Sequence, residues 1–114
     1  MTETEFRYTG ERFADIQLLR YRLDGFEQLS LEQKTYIYYL AEATLCGRDI
    51  TFDQFGKHNI IIRRVLEAIV TDPQVCHDTP DFKALEVYLK RVWFSNGIHH
   101  HYGQEKSGIN FSCP

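Results

Sequence analysis

The residue types best suited to chemistry gather in one run near the end of the chain, from Val92 to Lys106. This run holds the only Trp of the 114-residue chain, three of its five His and two of its seven Gly. Aromatic bulk, imidazole rings and flexible backbone together are typical of a substrate-binding cleft. The run is therefore the first candidate for a functional site.

Three consecutive histidines, His99, His100 and His101, raise the question of a metal site. Neutral imidazole is a common ligand of transition metals. Three consecutive side chains rarely meet at one ion, however, because neighbours alternate faces on a strand and lie about 100° apart on a helix. We therefore expect these histidines to be cleft or surface residues, and we expect no metal ligands in this chain.

The residues of a hydrolytic centre are missing from the sequence. A zinc peptidase needs two histidines on one helix face with a carboxylate beside the first, so that metal and general base act together. The chain contains neither a His-Glu nor a Glu-Glu dipeptide. Cys46, Cys76 and Cys113 have no CxxC spacing and are interpreted as reduced thiols. We predict no catalytic residue and no resident cofactor.

Charge and composition narrow the possible partners. The formal net charge is −3 and no dense block of Lys or Arg occurs, so nucleic acid and anionic membrane are unexpected partners. No apolar run approaches the roughly 18 to 20 residues that span a bilayer. The first five residues are polar and acidic, unlike a secretory signal. We expect a cytoplasmic chain, although a secreted chain whose leader had been removed would look the same.

Apolar residues at helical spacing predict the elements that position the run. Four stripes indicate four main helices, and no convincing strand alternation occurs. The stripes are Phe13, Ile16, Leu19 and Leu23; Ile37, Leu40, Ala41 and Leu45; Ile62, Val65, Leu66, Ile69 and Val70; and Phe82, Leu85, Tyr88, Leu89, Val92 and Trp93. Residues 49–56 allow a turn or one short helix. The predicted fold is all-α.

Helix ends are marked by local signals. Ser30 and Gln33 form a capping-box pattern at the start of the second helix, and Gly47 is placed to end it in a left-handed conformation. Thr79 and Pro80 suit the N-cap and the first position of the last helix. The predicted core is Ile37, Leu40, Ile62, Leu66, Ile69, Leu85, Leu89 and Trp93.

Charged residues between the apolar positions are interpreted as structural or surface residues and not as parts of a functional site. Arg63 and Arg64 interrupt the third stripe and are interpreted as a solvated face or as ion-pair partners. Asp49 and Asp53 lie about one helical turn apart and are interpreted as capping or solvated residues.

Most of the chain, from about Glu11 to Lys106, resembles the dipeptidyl peptidase III family. The matching segments are Glu11-Arg12-Phe13-Ala14-Asp15, Gly25-Phe26, Gly47-Arg48-Asp49, Phe52-Asp53-Gln54, Arg63-Arg64, Pro80-Asp81-Phe82-Lys83-Ala84 and the run from Val92 to Lys106. Members of this family are zinc peptidases that release dipeptides from peptide N-termini. Their zinc is bound by an H-E-x-x-x-H helix and an E-E-x-x-x-D helix, which lie beyond the part resembled here.

The resemblance implies a role in peptide binding. In the family two lobes face each other across a cleft, and the N-terminal helices belong to the lobe opposite the zinc. The residues matching the border of that cleft are Ser95, Asn96, Gly97, Tyr102 and Gly103. The two glycines would let a peptide backbone approach, Asn96 could hydrogen-bond a peptide amide, and Tyr102 could contact an apolar side chain.

These observations divide the chain into a polar extension (1–10), a helical domain (11–106) and a tail that departs from the family pattern (107–114). We predict the N-terminal fragment of a dipeptidyl peptidase III-like enzyme, inactive alone, whose zinc would belong to the full-length protein. A stand-alone helical module that binds proteins or peptides is the alternative, and a small metal- or haem-binding protein is the least favoured. Self-association through exposed aromatic residues is also expected; the candidates are Tyr36, Tyr39, Phe94, Tyr102 and Phe111.

Overall fold

The computed structural model describes residues 5–111. The chain divides into two compact units, residues 1–46 and residues 47–114. Within the described part, the first unit contains a β-hairpin and one long helix, and the second contains three helices.

A β-hairpin occupies the segment for which the sequence predicts a first helix. Strands β1 (Thr9–Phe13) and β2 (Ile16–Leu19) pair antiparallel, with Phe13 opposite Ile16. The helix prediction is wrong here because a two-residue hairpin loop also spaces apolar residues three apart. Ala14, in that loop, has a φ of 50°. The molecule is therefore mostly helical but includes a small sheet, which corrects the all-α prediction.

Helix α1 (Leu31–Cys46) begins as the capping-box pattern predicts. The backbone N–H of Gln33 donates to Ser30 Oγ at 3.2 Å, and the N–H of Ser30 donates to Gln33 Oε1 at 3.0 Å. The predicted left-handed end is wrong, because Gly47 has a φ of −87° and leads directly into the next helix.

The predicted core residues of α1 are not buried. Ile37 is 41% exposed and Leu40 is 49% exposed, and α1 contributes no buried residue to the structure. The unbroken sequence Tyr36–Ala41 places apolar side chains all around the helix, so no single apolar face indicates which of them should be buried.

The second unit consists of α2 (Arg48–Phe55), α3 (Asn59–Thr71) and α4 (Pro80–Ser95). The short helix expected within residues 49–56 is α2. Thr79 caps α4 as predicted, since its Oγ1 accepts from the backbone N–H of Phe82 at 3.2 Å. Helix α3 ends at Thr71, immediately before the Asp72-Pro73 pair that the sequence marks as its end.

The core of the second unit is formed by the facing sides of these three helices. Its buried members are Phe52, Leu66, Leu85, Tyr88, Leu89 and Val92. Ile62 and Ile69 are half-buried and pack against it. The predicted core is thus confirmed for α3 and α4, except at Trp93, which is 45% exposed. Each fully buried aliphatic or aromatic side chain contributes about 1.5 to 3 kcal/mol to folding.

Among residues 5–111, no helix is both long and apolar enough to cross a bilayer.

Candidate functional site

A cavity of about 370 Å³ in the second unit lies where α2, α3 and the end of α4 meet. Its lining residues come from all three helices and from the residue that follows α4: Arg48, Phe52, Arg63, Glu67, Trp93 and Asn96. Two guanidinium groups, one carboxylate and two aromatic rings are therefore brought together, next to the start of the run that the sequence singles out.

Arg63 is the central cation of this cavity, and it is only 4% exposed. Its Nη2 donates to Asp49 Oδ1 at 2.6 Å, and its guanidinium carbon lies 4.5 Å from the centre of the Phe52 ring. Glu67, one turn along α3, places Oε1 3.6 Å from Arg63 Nε, which is an ion pair but too long for a hydrogen bond. The ion-pair interpretation of Arg63 is confirmed, and the solvated-face interpretation is wrong.

Asp49 is held in its charged form by this arrangement. The hydrogen bond from Arg63 lowers the pKa of the Asp49 carboxyl from its usual 3.8, and the charges of Arg63, Arg64 and Arg48 act in the same direction. Arg64 Nη2 lies 3.7 Å from Asp49 Oδ2. The carboxylate therefore pairs with two arginines of α3.

Two donor atoms of Arg63, Nε and Nη1, are buried, and neither has a hydrogen-bond partner within residues 5–111. A buried donor left without an acceptor costs about 1 to 3 kcal/mol, and more when the group is charged. The guanidinium is thus only partly satisfied by the side chains of residues 5–111.

A second polar contact in the cavity is the hydrogen bond between Trp93 and Glu67. The indole Nε1 donates to Glu67 Oε1 at 2.8 Å. This bond explains why Trp93 lies at the edge of the core, since an indole N–H needs an acceptor when its ring is partly buried. The same Glu67 oxygen approaches both Trp93 and Arg63, so it links α3 to α4 across the cavity.

Beside the cavity, Asn59 packs between two glycines. Asn59 is 1% exposed, and its Oδ1 accepts from the backbone N–H of Ile98 at 3.4 Å. A Cβ atom added to Gly97 would collide with the Asn59 carboxamide, and one added to Gly56 would lie 2.8 Å from Asn59 Nδ2. Through these contacts Asn59 holds Gly97 and Ile98, which follow α4, against the start of α3.

The five residues predicted to border a peptide cleft occupy different environments. Ser95 is buried in the last turn of α4, and Gly97 is buried against Asn59. Asn96 ends α4 in the left-handed conformation with a φ of 55° and lines the cavity. Tyr102 is 91% exposed, and Gly103 has open space around it. The structure thus brings Asn96 to the cavity and places Tyr102 and Gly103 in a surface loop.

The histidine run lies in this loop. Its ends are joined by the bond from the Ser107 N–H to the Ile98 carbonyl at 2.8 Å. The rings of His100 and His101 stack at 4.2 Å, and His101 meets the edge of Phe94 at 4.9 Å. In the part of the chain that the structure describes, no group of three or more His, Cys, Asp or Glu could hold a metal ion.

The sequence contains a signal for the cavity that the apolar stripes alone do not reveal. Asn59, Arg63 and Leu66 follow one another at spacings of four and three, and all three are buried on α3. Polar residues that continue the core face of a helix are candidates for buried polar interactions. Which partners satisfy them depends on the packing of α2 and α4, which the local sequence does not determine.

No protein-family model matches the chain, and no curated protein sequence matches it.

Proposed function

We propose that this chain forms the N-terminal helical part of a dipeptidyl peptidase III-like zinc peptidase and contributes one wall of its peptide-binding cleft. The proposal rests on the resemblance between residues 11–106 and that family. The observation that supports it most directly is the position of Asn96, a predicted cleft residue, on a cavity with a partly satisfied buried cation.

The resemblance implies that zinc would be held by the opposite lobe, where it would polarise the scissile carbonyl and activate water. The contribution of the present chain is to bind and orient the peptide. Cys46 and Cys76 are free thiols, as is usual in the reducing cytoplasm, which is the compartment we propose.

Exposed apolar side chains also agree with a place in a larger lobe. Tyr36, Tyr38, Tyr39, Leu40 and Leu45 are all exposed on α1. A helix that is apolar all round is usually buried within a protein, and large exposed apolar patches usually mark an interaction surface.

Activity and complementation measurements test this proposal. Alone, the chain is expected to release no naphthylamide from dipeptidyl-naphthylamide substrates, with or without added zinc. Mixed with a dipeptidyl peptidase III-family enzyme whose corresponding N-terminal helices have been deleted, it is expected to restore turnover. Failure of a folded chain to bind the truncated enzyme or restore its activity would contradict the proposal.

A matched pair of variants links restored activity to the cavity. Asn96→Gly removes the carboxamide but keeps the left-handed backbone accessible, so it is expected to raise KM for the peptide. Gln104→Ala, in the exposed loop, is the control and is expected to change nothing. Equal effects of the two variants would count against a substrate-contacting role for Asn96.

A stand-alone interaction module is the second candidate function, and one observation favours it. Phe52, Leu66, Leu89 and their neighbours form a core entirely within residues 47–111, so the second unit does not need another polypeptide to bury it. If this function is correct, the chain is expected to bind peptides or an intact peptidase without restoring activity to the truncated enzyme.

A further inference from the structure

The cavity in the second unit has the chemistry of a carboxylate-binding site. We propose that it binds a carboxylate carried on an apolar group, such as the C-terminal residue of a peptide or a small aryl-alkyl carboxylic acid. This inference concerns residues 48–96 alone and stands whether or not the chain works with a zinc-binding lobe.

The first reason to expect a carboxylate ligand is that donor atoms of Arg63 have no hydrogen-bond acceptor among the described residues. Nη2 is occupied by Asp49, whereas Nη1 has no acceptor among the described residues and Nε has only the distant Glu67 oxygen. A carboxylate oxygen is the acceptor that best matches a guanidinium N–H. Charge-assisted bonds of this kind contribute more than neutral ones, so a ligand gains most by supplying one here.

The charge around the cavity favours an anion over a neutral acceptor. Arg48 and Arg63 line it together with one carboxylate, Glu67. Including the adjacent ion-pair partners, Asp49 and Arg64, adds one charge of each sign. The cluster therefore has a net charge of one positive unit without a ligand, and a monoanion neutralises it.

The lining residues and the volume of the cavity indicate the polarity and the size of the rest of the ligand. Phe52 and Trp93 supply apolar surface, and Asn96 supplies an amide that can donate or accept. A volume of about 370 Å³ lies at the small end of ligand sites, which run from about 300 to 1,000 Å³. One apolar residue with its carboxylate fits this space, whereas a long peptide would extend beyond it.

Arg63 Nη1 is buried, so a ligand reaches this atom only after the side chains around it move. Arg48 lines the cavity and is exposed, so its own side chain can rearrange without disturbing the core. Once moved, it can also pair with the second carboxylate oxygen.

Titration of the full chain tests the proposal, with the emission of Trp93 and calorimetry as readouts. Trp93 lines the cavity and is the only Trp in the sequence. The probes are 3-phenylpropionate, acetyl-Ala-Ala-Phe with a free C-terminus, and the same peptide with a C-terminal amide. We expect saturable binding of the carboxylates and at least about tenfold weaker binding of the amide, because the amide cannot supply a charged acceptor.

The two carboxylate probes distinguish the source of the ligand. Tighter binding of the free-acid peptide than of 3-phenylpropionate identifies a peptide C-terminus, and the reverse order identifies a small acid; either order supports the site. Equal affinity for the acid and the amide, or no saturable binding of either carboxylate, would overturn the proposal.

Two variants with opposite expected effects separate binding from folding. Arg63→Lys keeps the charge but loses the guanidinium donors, so carboxylate binding should weaken about tenfold; its circular dichroism melt shows whether it folds. Glu67→Gln removes a competing negative charge yet still offers an oxygen to the Trp93 N–H, so binding should tighten about threefold to tenfold.

The control variants each change a charge away from the cavity, and Glu86→Gln matches the charge change of Glu67→Gln. Lys83→Gln and Glu86→Gln lie on α4 and do not line it, and both should bind like the unaltered chain. A merely structural role for the charged cluster would not make Glu67→Gln bind more tightly. Unchanged or weaker binding by a folded Glu67→Gln chain would therefore contradict the proposal.

Discussion

At the scale of single residues, the two glycines of the predicted cleft differ in what they do. Gly97 is buried with a φ of 156°, and a Cβ there would collide with the side chain of Asn59. Gly103 has nothing within 4 Å of where its Cβ would lie. The same residue type therefore serves close packing at one position and an open loop at the other.

This difference leads to a paired stability measurement. Gly97→Ala is expected to lower the free energy of unfolding by about 1 to 3 kcal/mol, because Asn59 must move and lose its bond to Ile98. Gly103→Ala is expected to stay within about 0.5 kcal/mol of the original chain. Chemical denaturation followed by circular dichroism measures both. Equal effects would show that Gly97 is not packed against Asn59.

Asp49 makes the stability of the second unit depend on pH. The hydrogen bond from Arg63 lowers the folded-state pKa of Asp49 below its usual 3.8, so the folded chain binds this proton less readily than the unfolded chain. The stabilisation is therefore complete above about pH 4 and is lost as the pH falls through the lower, folded-state value.

The Asp49→Asn variant tests this dependence. It is expected to melt at a lower temperature than the original chain at pH 7, and the difference should shrink by pH 3. Asp53→Asn is the matched control, since Asp53 is exposed on the same helix. A difference that is the same at both pH values would show that the Asp49 charge does not stabilise the fold.

At the scale of elements, sequence patterns predict those features that depend only on residues close together in the chain, such as helix caps. The bonds between Ser30 and Gln33 and the Thr79 cap involve residues within three positions of each other, so sequence patterns suffice to find them. The hairpin at Phe13 and Ile16 is different, because a spacing of three suits both a helix and a two-residue loop. The ion pair of Arg63 with Asp49 depends on how α2 packs on α3, and no local pattern specifies that partner.

Helix α3 provides the clearest test of element packing. Leu66 is buried in the core, whereas its neighbour Val65 is exposed. Leu66→Ala is expected to cost about 2 to 5 kcal/mol through lost burial and the cavity left behind. Val65→Ala, an exposed change, is expected to stay within about 0.5 kcal/mol. Urea denaturation measures both, and a cost below half a kcal/mol for Leu66→Ala would mean that α3 is rotated from the described orientation.

At the scale of the whole molecule, the exposed aromatic residues of α1 lead us to expect self-association. Tyr36 and Tyr39 are exposed, whereas Phe111, another residue predicted for such a surface, packs with its ring 5.8 Å from that of Tyr88. Burying tyrosines between copies removes apolar surface from water. The simplest assembly is a two-fold dimer.

Sedimentation across a concentration series measures this association. The double variant Tyr36→Lys/Tyr39→Lys is expected to weaken it at least about tenfold, because two charges would have to be desolvated at the contact. Tyr102→Lys, in the surface loop, is the control and is expected to have a smaller effect. A chain that stays monomeric at every concentration would show that α1 is not an association surface in isolation.

The end of α4 also affects how fast one side chain, that of Asn96, degrades. Asn96 is followed by Gly97. Asn-Gly pairs deamidate when the glycine nitrogen attacks the side-chain carbonyl carbon of the asparagine and expels ammonia, and water then opens the cyclic imide. Here that nitrogen is buried and its N–H donates to the Val92 carbonyl at 3.0 Å, so attack must wait for this helix end to open. Deamidation at Asn96, followed by peptide-resolved mass spectrometry during storage, should therefore be slow in the native chain and fast in urea. The rate of deamidation at Asn96 would then measure how often this part of the second unit opens.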